Sequence, residues 1–296
     1  MNLDEFKNHL KKYLTEQEID ELITSLNNEE EHAALLNTRK MNESNFLSFF
    51  PHLKKHPFVS NGYYYNKDKY RLGLNIFHDL GVYYLQEPSA MSVASFLPRM
   101  KDNSCILDMC AAPGGKTTEL ASLTNNNANI TACELNKIRI EKLKYNIEKQ
   151  GATSVYIMQE DSRRINDFFS FDNILLDAPC SGSGTLNVED VNLEKTFTEK
   201  LIEKSQKSQL ELLNKAVKIL KQGQEMVYST CSILNVENEE IVSKILKNNK
   251  VEIVPIEFEG KEELPLLPTK IDGTLCVMPT ELYEGFFIAK IRKNHN

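Results

Sequence analysis

The chain has 296 residues, 41% of them hydrophobic and 26% charged, with a formal net charge of −7. That length suits one large globular domain plus a small one, and the charge excludes a protein that holds nucleic acid by bulk electrostatics alone. No apolar run reaches the roughly 18 residues of a membrane span, and Met1-Asn2-Leu3-Asp4-Glu5 lacks a signal peptide's basic start, so a cytoplasmic protein without membrane association is expected.

Along the chain, residues 1–50 read as helical. Leu3, Phe6, Leu10 and Tyr13 share a face, and Ile19, Leu22, Ile23 and Leu26 continue the pattern. Glu29-Glu30-Glu31 reads as a solvated acidic run. His52 to Pro57 and Tyr63 to Arg71 form the most basic and aromatic stretch. Tyrosines alternating with lysines suit a strand pair whose exposed face stacks on bases and touches phosphates. They equally suit a tyrosine-rich hairpin packed on the main domain.

From Asp102 onward, strands alternate with helices. The strand candidates are Cys105–Met109, Asn129–Cys133, Val155–Gln159, Asn173–Leu176, Glu225–Ser229, Val251–Ile256 and Phe286–Ile291. The helices between them are Lys116–Leu123, Lys137–Gln150, Phe197–Leu220 and Val236–Leu246. On the third, Leu201, Leu210, Leu213, Val217 and Leu220 fall on or near one stripe. This order predicts an α/β protein with a mostly parallel sheet covered on both faces, whose ligands bind at the carboxyl ends of the strands.

The chemistry-bearing residues lie at such ends. After the first strand comes Asp108-Met109-Cys110-Ala111-Ala112-Pro113-Gly114-Gly115-Lys116-Thr117, whose glycines let backbone amides approach a ligand. Glu134 ends the next strand, placed to accept from ribose hydroxyls. Asp161 follows the third, placed to accept from an adenine amino group. A P-loop would need glycine where Cys110 stands, and no G-x-G-x-x-G is present. S-adenosylmethionine needs acidic partners and no phosphate cradle, and fits best.

Of six cysteines (Cys105, Cys110, Cys133, Cys180, Cys231 and Cys276), none form a Cys-x-x-Cys pair, so no metal is expected. Cys180 closes Asp177-Ala178-Pro179-Cys180 and Cys231 closes Tyr228-Ser229-Thr230-Cys231, each after an apolar strand. Two thiols beside a nucleoside pocket suit reaction at a pyrimidine. Carbon 5 of cytosine becomes nucleophilic once a thiolate adds to carbon 6; the reaction then needs an acid near ring nitrogen 3 and a base for the carbon 5 proton. Asp177 is placed to hold the exocyclic amine and nitrogen 3, and Lys116 is a cation to favour a thiolate.

On these residues the chain resembles the RNA 5-methylcytosine methyltransferases, most closely the bacterial RsmF-type ribosomal RNA enzymes. The matching stretches are Asp108–Leu120, Asp177–Gly184 and Val227–Ser232; weaker ones are Leu36–Lys40, Tyr83–Met91 and Glu284–Lys290. The resemblance implies a Rossmann-like class I S-adenosylmethionine-dependent methyltransferase core over 86–296, behind a small N-terminal α+β domain over 1–85 with possible RNA contact. It implies Cys231 as nucleophile and Cys180 as the cysteine that assists breakdown of the adduct. The cofactor-binding set it implies is Cys110, Ala111, Ala112, Pro113, Gly114, Gly115, Lys116, Glu134, Asp161 and Asp177. The implied partner is RNA, ribosomal RNA or a ribosomal subunit, with no obligate protein partner. The chain departs from the family in three places: Leu35 replaces a common arginine, Leu186–Asp190 is acidic where basic residues are usual, and the chain stops at Asn296 without an RNA-binding extension. The competing readings are the same chemistry on transfer RNA, and a non-catalytic RNA-binding assembly factor on this fold; DNA cytosine methylation is disfavoured by Thr230-Cys231.

Overall fold

Asn2 and Thr15 each form a reciprocal capping box, with Glu5 and Glu18, and so start α1 (Leu3–Leu10) and α2 (Glu16–Ser25). The computed structural model describes residues 1–26, 32–98, 100–248 and 250–295; the acidic run Glu29–Glu31 lies outside the described residues. The next segment departs from the helical expectation for 1–50, because His32–Leu36 is strand β1. Its pairing on both sides, with β3 and β4, outweighs the helix preference of Ala and Leu. Helix α3 (Glu43–Phe49), β2 (Lys54–Lys55), β3 (Gly62–Tyr65), α4 (Ile76–Asp79) and β4 (Tyr83–Gln86) complete an antiparallel sheet of order β2-β3-β1-β4.

Tyr63, Tyr64 and Tyr65 of β3 are all buried. The Tyr63 hydroxyl donates to Glu43 over 2.6 Å, and the Tyr64 hydroxyl lies 2.9 Å from that of Tyr283. The packed hairpin is therefore the correct reading of these tyrosines, and they offer no ring face to a base. Lys54, Lys55, Lys67 and Lys69 are exposed.

The larger sheet follows: β5 (Cys105–Asp108), α5 (Gly115–Leu123), β6 (Asn129–Cys133), α6 (Lys137–Gln150), β7 (Val155–Met158), β8 (Phe171–Asp177), α7 (Leu193–Thr196), α8 (Glu199–Ile219), β9 (Leu220–Thr230), α9 (Glu239–Asn248), β10 (Val251–Ile253), β11 (Leu275–Val277) and β12 (Phe286–Lys293). Its order is β10-β12-β9-β8-β5-β6-β7, with β11 beside β12. Strands β9, β8, β5, β6 and β7 are parallel; β12 runs against β9. The order reverses between β5 and β8, a topological switch point with a crevice at the carboxyl ends. Successive residues alternate faces. Ile174 and Leu176 join one apolar cluster and Leu175 the other. Phe6, Leu10, Ile19 and Leu22 of the first two helices pack into the Leu176 cluster.

The small sheet is fastened to the large one at the end of α6. Asn37 donates to the Gln150 carbonyl at 2.9 Å, Arg39 to the Gly151 and Gln150 carbonyls at 2.9 and 3.0 Å, and Lys40 to the Lys149 carbonyl at 2.6 Å. A helix ends with four carbonyls lacking intrahelical partners and a partial negative charge. Two cations and an amide answer both needs.

Candidate active site

The loop between β5 and α5 is shaped by glycine. Gly114 has φ +111°, and a Cβ on Gly115 would lie 3.0 Å from the Tyr84 ring. Ala111 and Ala112 pack against Ala132 and Leu143, away from solvent. The Ala112 carbonyl accepts from Arg139 at 2.6 Å and the Pro113 carbonyl from Asn146 at 2.8 Å. These residues thus contribute the course of the loop more than side-chain chemistry. Thr117 donates to buried Asp108 over 2.6 Å, and burial pushes the Asp108 carboxyl up to about 6.

Beside this loop a cleft of about 130 Å³ opens at the ends of β5, β6 and β7. Cys110, Glu134 and Asp161 all line it. Glu134 accepts the Asn136 amide at 2.8 Å and pairs with Arg139 at 3.2 Å. Asp161 is gripped by the Arg163 guanidinium at 2.9 and 2.6 Å, which holds its carboxyl below the usual range. Burial pushes the Cys110 thiol well up, so it lines the cleft as a neutral group. Leu135, 59% exposed, Arg139, Glu160 and Pro179 also line the cleft and were not singled out by sequence. The position of Leu135 right after Glu134 was the available signal. Both cations of the cleft already face carboxylates, which disfavours a phosphate ligand and suits a ribose and an adenine.

On the other side of the switch point, the ends of β8 and β9 bring the second group together. The Sγ atoms of Cys180 and Cys231 lie 3.2 Å apart. Asp177, the last residue of β8, accepts from Lys116 at 2.8 Å and from Ser229 at 2.8 Å. Burial would lower the pKa of the Lys116 ammonium, but Asp177 outweighs it and the net direction is up. The two thiols shift apart. The hydrogen bond shared with Cys180 pulls Cys231 down, against burial and Asp177, with help from Lys116. The same bond and burial push Cys180 well up. Of the two, Cys231 is the thiol shifted toward ionisation and Cys180 the one shifted away from it. The structure thus brings Cys180, Cys231, Asp177 and Lys116 into one cluster, and Cys110, Glu134 and Asp161 into an adjoining one.

The loop after Cys180 is close-packed. A Cβ on Gly184 would lie 2.0 Å from the Gly285 carbonyl oxygen. The Gly184 amide donates to the Cys231 carbonyl at 3.1 Å, and the Gly285 amide to the Gly184 carbonyl at 2.9 Å. No described helix is long and apolar enough to cross a membrane.

The family model described as 16S rRNA methyltransferase RsmB/F matches residues 95–292, and the one for the N-terminal domain of 16S rRNA methyltransferase RsmF matches residues 3–88. Ribosomal RNA small subunit methyltransferase F of Serratia proteamaculans is 32% identical over 293 residues, covering 94% of this chain and 60% of the relative. The protein of that name from Shewanella woodyi is 34% identical over 278 residues, covering 87% of this chain and 56% of the relative. The chain therefore spans little more than half the length of these relatives. Among solved structures, a methyltransferase homolog protein from Pyrococcus horikoshii is similar with a TM-score of 0.80 at 27% identity, over 99% of this chain and 100% of that one. NSun6 from Pyrococcus horikoshii with SFG shares the fold, with a TM-score of 0.83 at 22% identity over 97% of both chains. With its Rossmann-like class I methyltransferase fold and two thirds of its length inside one family model, the chain belongs to the RsmB/F family of 16S rRNA methyltransferases.

Proposed function

We propose that the chain methylates carbon 5 of a cytosine in small-subunit ribosomal RNA, with S-adenosylmethionine as methyl donor and Cys231 as covalent nucleophile. The observation that carries this reading is the 3.2 Å approach of two thiols on adjacent strand ends, one turned toward thiolate and one held as thiol. The carboxylate-lined cleft next to them supports the choice of cofactor. In this reading Cys110 to Lys116, Glu134, Asp161 and Asp177 hold the cofactor, residues 86–296 carry the chemistry, residues 1–85 face the RNA, and the protein works in the cytoplasm.

Cys231 adds its sulfur to carbon 6, which turns carbon 5 into a nucleophile. S-adenosylmethionine, when bound, supplies the electrophilic methyl group for carbon 5. Asp177, steadied by Lys116 and Ser229, accepts from the exocyclic amine of the base. Release breaks the bond from Cys231 to carbon 6. Cys180 gives its proton to the departing Cys231 sulfur and, as a thiolate, takes the proton from carbon 5. Both cysteines are then thiols, and loss of one proton to water restores the starting pair. The target base must leave its stack to reach these groups, so unpaired cytosines react fastest.

A denaturing gel of each variant with labelled RNA and cofactor tests the reading. Cys231→Ala is expected to show neither methyl transfer nor a covalent complex, and Cys180→Ala to trap methylated RNA on Cys231. An adduct in Cys231→Ala with none in Cys180→Ala reverses the roles. Full activity in both makes the thiols packing residues. Ribosomal and transfer RNA run in parallel decide the substrate, and bisulfite sequencing of RNA from cells with and without the gene locates the base.

A further inference from the structure

Glu237 lies six residues beyond Cys231, in a short 3-10 turn (Asn235–Glu237) ahead of α9, and has no exposed surface. A buried carboxylate is costly unless its lone pairs are taken up, and an ion pair is the common solution. Glu237 uses neutral donors, each from around the two cysteines. Its Oε1 accepts the Ser181 amide at 2.8 Å and Gln209 Nε2 at 3.3 Å. Its Oε2 accepts the Ser181 hydroxyl at 2.5 Å and the Ser232 hydroxyl at 2.6 Å.

Ser181 follows Cys180, and Ser232 follows Cys231. One carboxylate therefore holds the residue after each thiol, although the two loops leave different strands. The residues before the thiols are held by its neighbours. Gln209 also donates to the Pro179 carbonyl at 3.0 Å, and Thr230 donates to Asn238 Oδ1 at 2.6 Å. The Tyr228 hydroxyl closes the set on the Glu237 carbonyl at 2.7 Å. The charge of Glu237 also adds to the hydrogen bond and burial that hold Cys180 as the thiol.

We propose that Glu237 is a positioning residue for the two-cysteine step: it clamps the loops after β8 and β9 so that the Cys180 and Cys231 sulfurs stay in contact. The proposal rests on the reading of these cysteines as nucleophile and partner. Glutamine can fill the same place, its oxygen accepting from the Ser181 amide and Gln209 while its amide donates to the two serine hydroxyls. Alanine cannot.

The test is independent of RNA. The full chain is treated with diamide, which takes up the two thiol hydrogens as a disulfide forms, and the rate at which Cys180 and Cys231 become cross-linked is read by peptide mass spectrometry. Loss of hydrogen bonds to a charged group should slow this in Glu237→Ala by about tenfold or more, with Glu237→Gln close to wild type. Should Glu237→Ala fail to fold, Ser181→Ala, which removes only the shortest of the four bonds, is expected to slow cross-linking in its place. A wild-type rate in Glu237→Ala, or in Ser181→Ala when that variant decides, overturns the clamp, as does a Glu237→Gln as slow as alanine. A second arm measures RNA adduct. Glu237→Ala should accumulate adduct as Cys180→Ala does, whereas general destabilisation lowers adduct and product together. Methylation by Cys231→Ala in this arm defeats the cysteine chemistry whatever the cross-linking shows, so the two failures are told apart.

Discussion

The Lys116 ammonium lies 2.8 Å from the Asp177 carboxylate, joining the loop after β5 to the end of β8 across the switch point of the sheet. The pair puts a cation next to Cys231 without leaving it unpartnered in a buried place. Lys116→Met removes the charge that favours the Cys231 thiolate. The pH at which Cys231 becomes reactive toward iodoacetamide should rise, read by mass spectrometry of its peptide across a pH series. A curve that does not move would show that Lys116 has no part in activating the thiol.

Glu134 and Asp161 are expected to hold the ribose and adenine of S-adenosylmethionine. Calorimetry on Glu134→Ala and Asp161→Ala should each show a loss of about 1–3 kcal/mol in binding. Glu134→Ala should lose more, since Glu134 is the more buried and also fixes Arg139, which supports the Ala112 carbonyl. Unchanged affinity in both variants would move the cofactor elsewhere.

The exposed lysines of the small sheet and its loop are expected to meet phosphates. Replacing Lys54, Lys67 and Lys69 by glutamine should weaken RNA binding and flatten its salt dependence by about one unit of slope per lost contact. Lys55 should contribute less, because it already pairs with Glu43 at 2.5 Å. A salt slope identical to wild type would show these lysines to be only solvated.

Burial raises the Asp108 carboxyl to about 6, and this has a sign for stability. Between about pH 4 and 6 the folded chain binds this proton more tightly than the unfolded one, so stability falls as pH rises through that window. At neutral pH the burden on the fold is roughly 3 kcal/mol. Asp108→Asn keeps an acceptor for Thr117 and should flatten the pH dependence of urea unfolding between pH 4 and 7. An equally steep dependence in the variant would assign it to other groups.

Helix α6 was legible to the residue, Lys137–Gln150, because Asn136 caps its start and Gly151 at φ +66° ends it. The parallel strands were legible as apolar runs. Strand β1 was not, since Ala33, Ala34, Leu35 and Leu36 favour helix until two neighbours pair with them. Strand β11 has three residues, too few for a pattern. On α8 the apolar pattern named Leu201 and Leu210, which are only partly buried; the buried face carries Ile202, Ser205, Gln209 and Leu213. Gln209 was passed over because a polar residue does not announce a core position. The cysteines and Asp177 were legible at the site because they stand in short contiguous motifs. Glu237 was not: it lies 56 residues from Ser181, and its meaning exists only after two loops close upon it. Tyr63 to Tyr65 show another limit: their composition suited base stacking and packing equally, and only their burial decides for packing.

The grip of Asn37, Arg39 and Lys40 on the end of α6 makes that helix a strut. Its fourteen residues span about 21 Å, and along its length it is bound to the glycine loop through Arg139 on the Ala112 carbonyl and Asn146 on the Pro113 carbonyl. A ligand that tilts the small sheet must therefore also displace the loop beside the cleft. Any such coupling would work equally in both directions: a ligand that steadied this loop would also steady the small sheet against the large one.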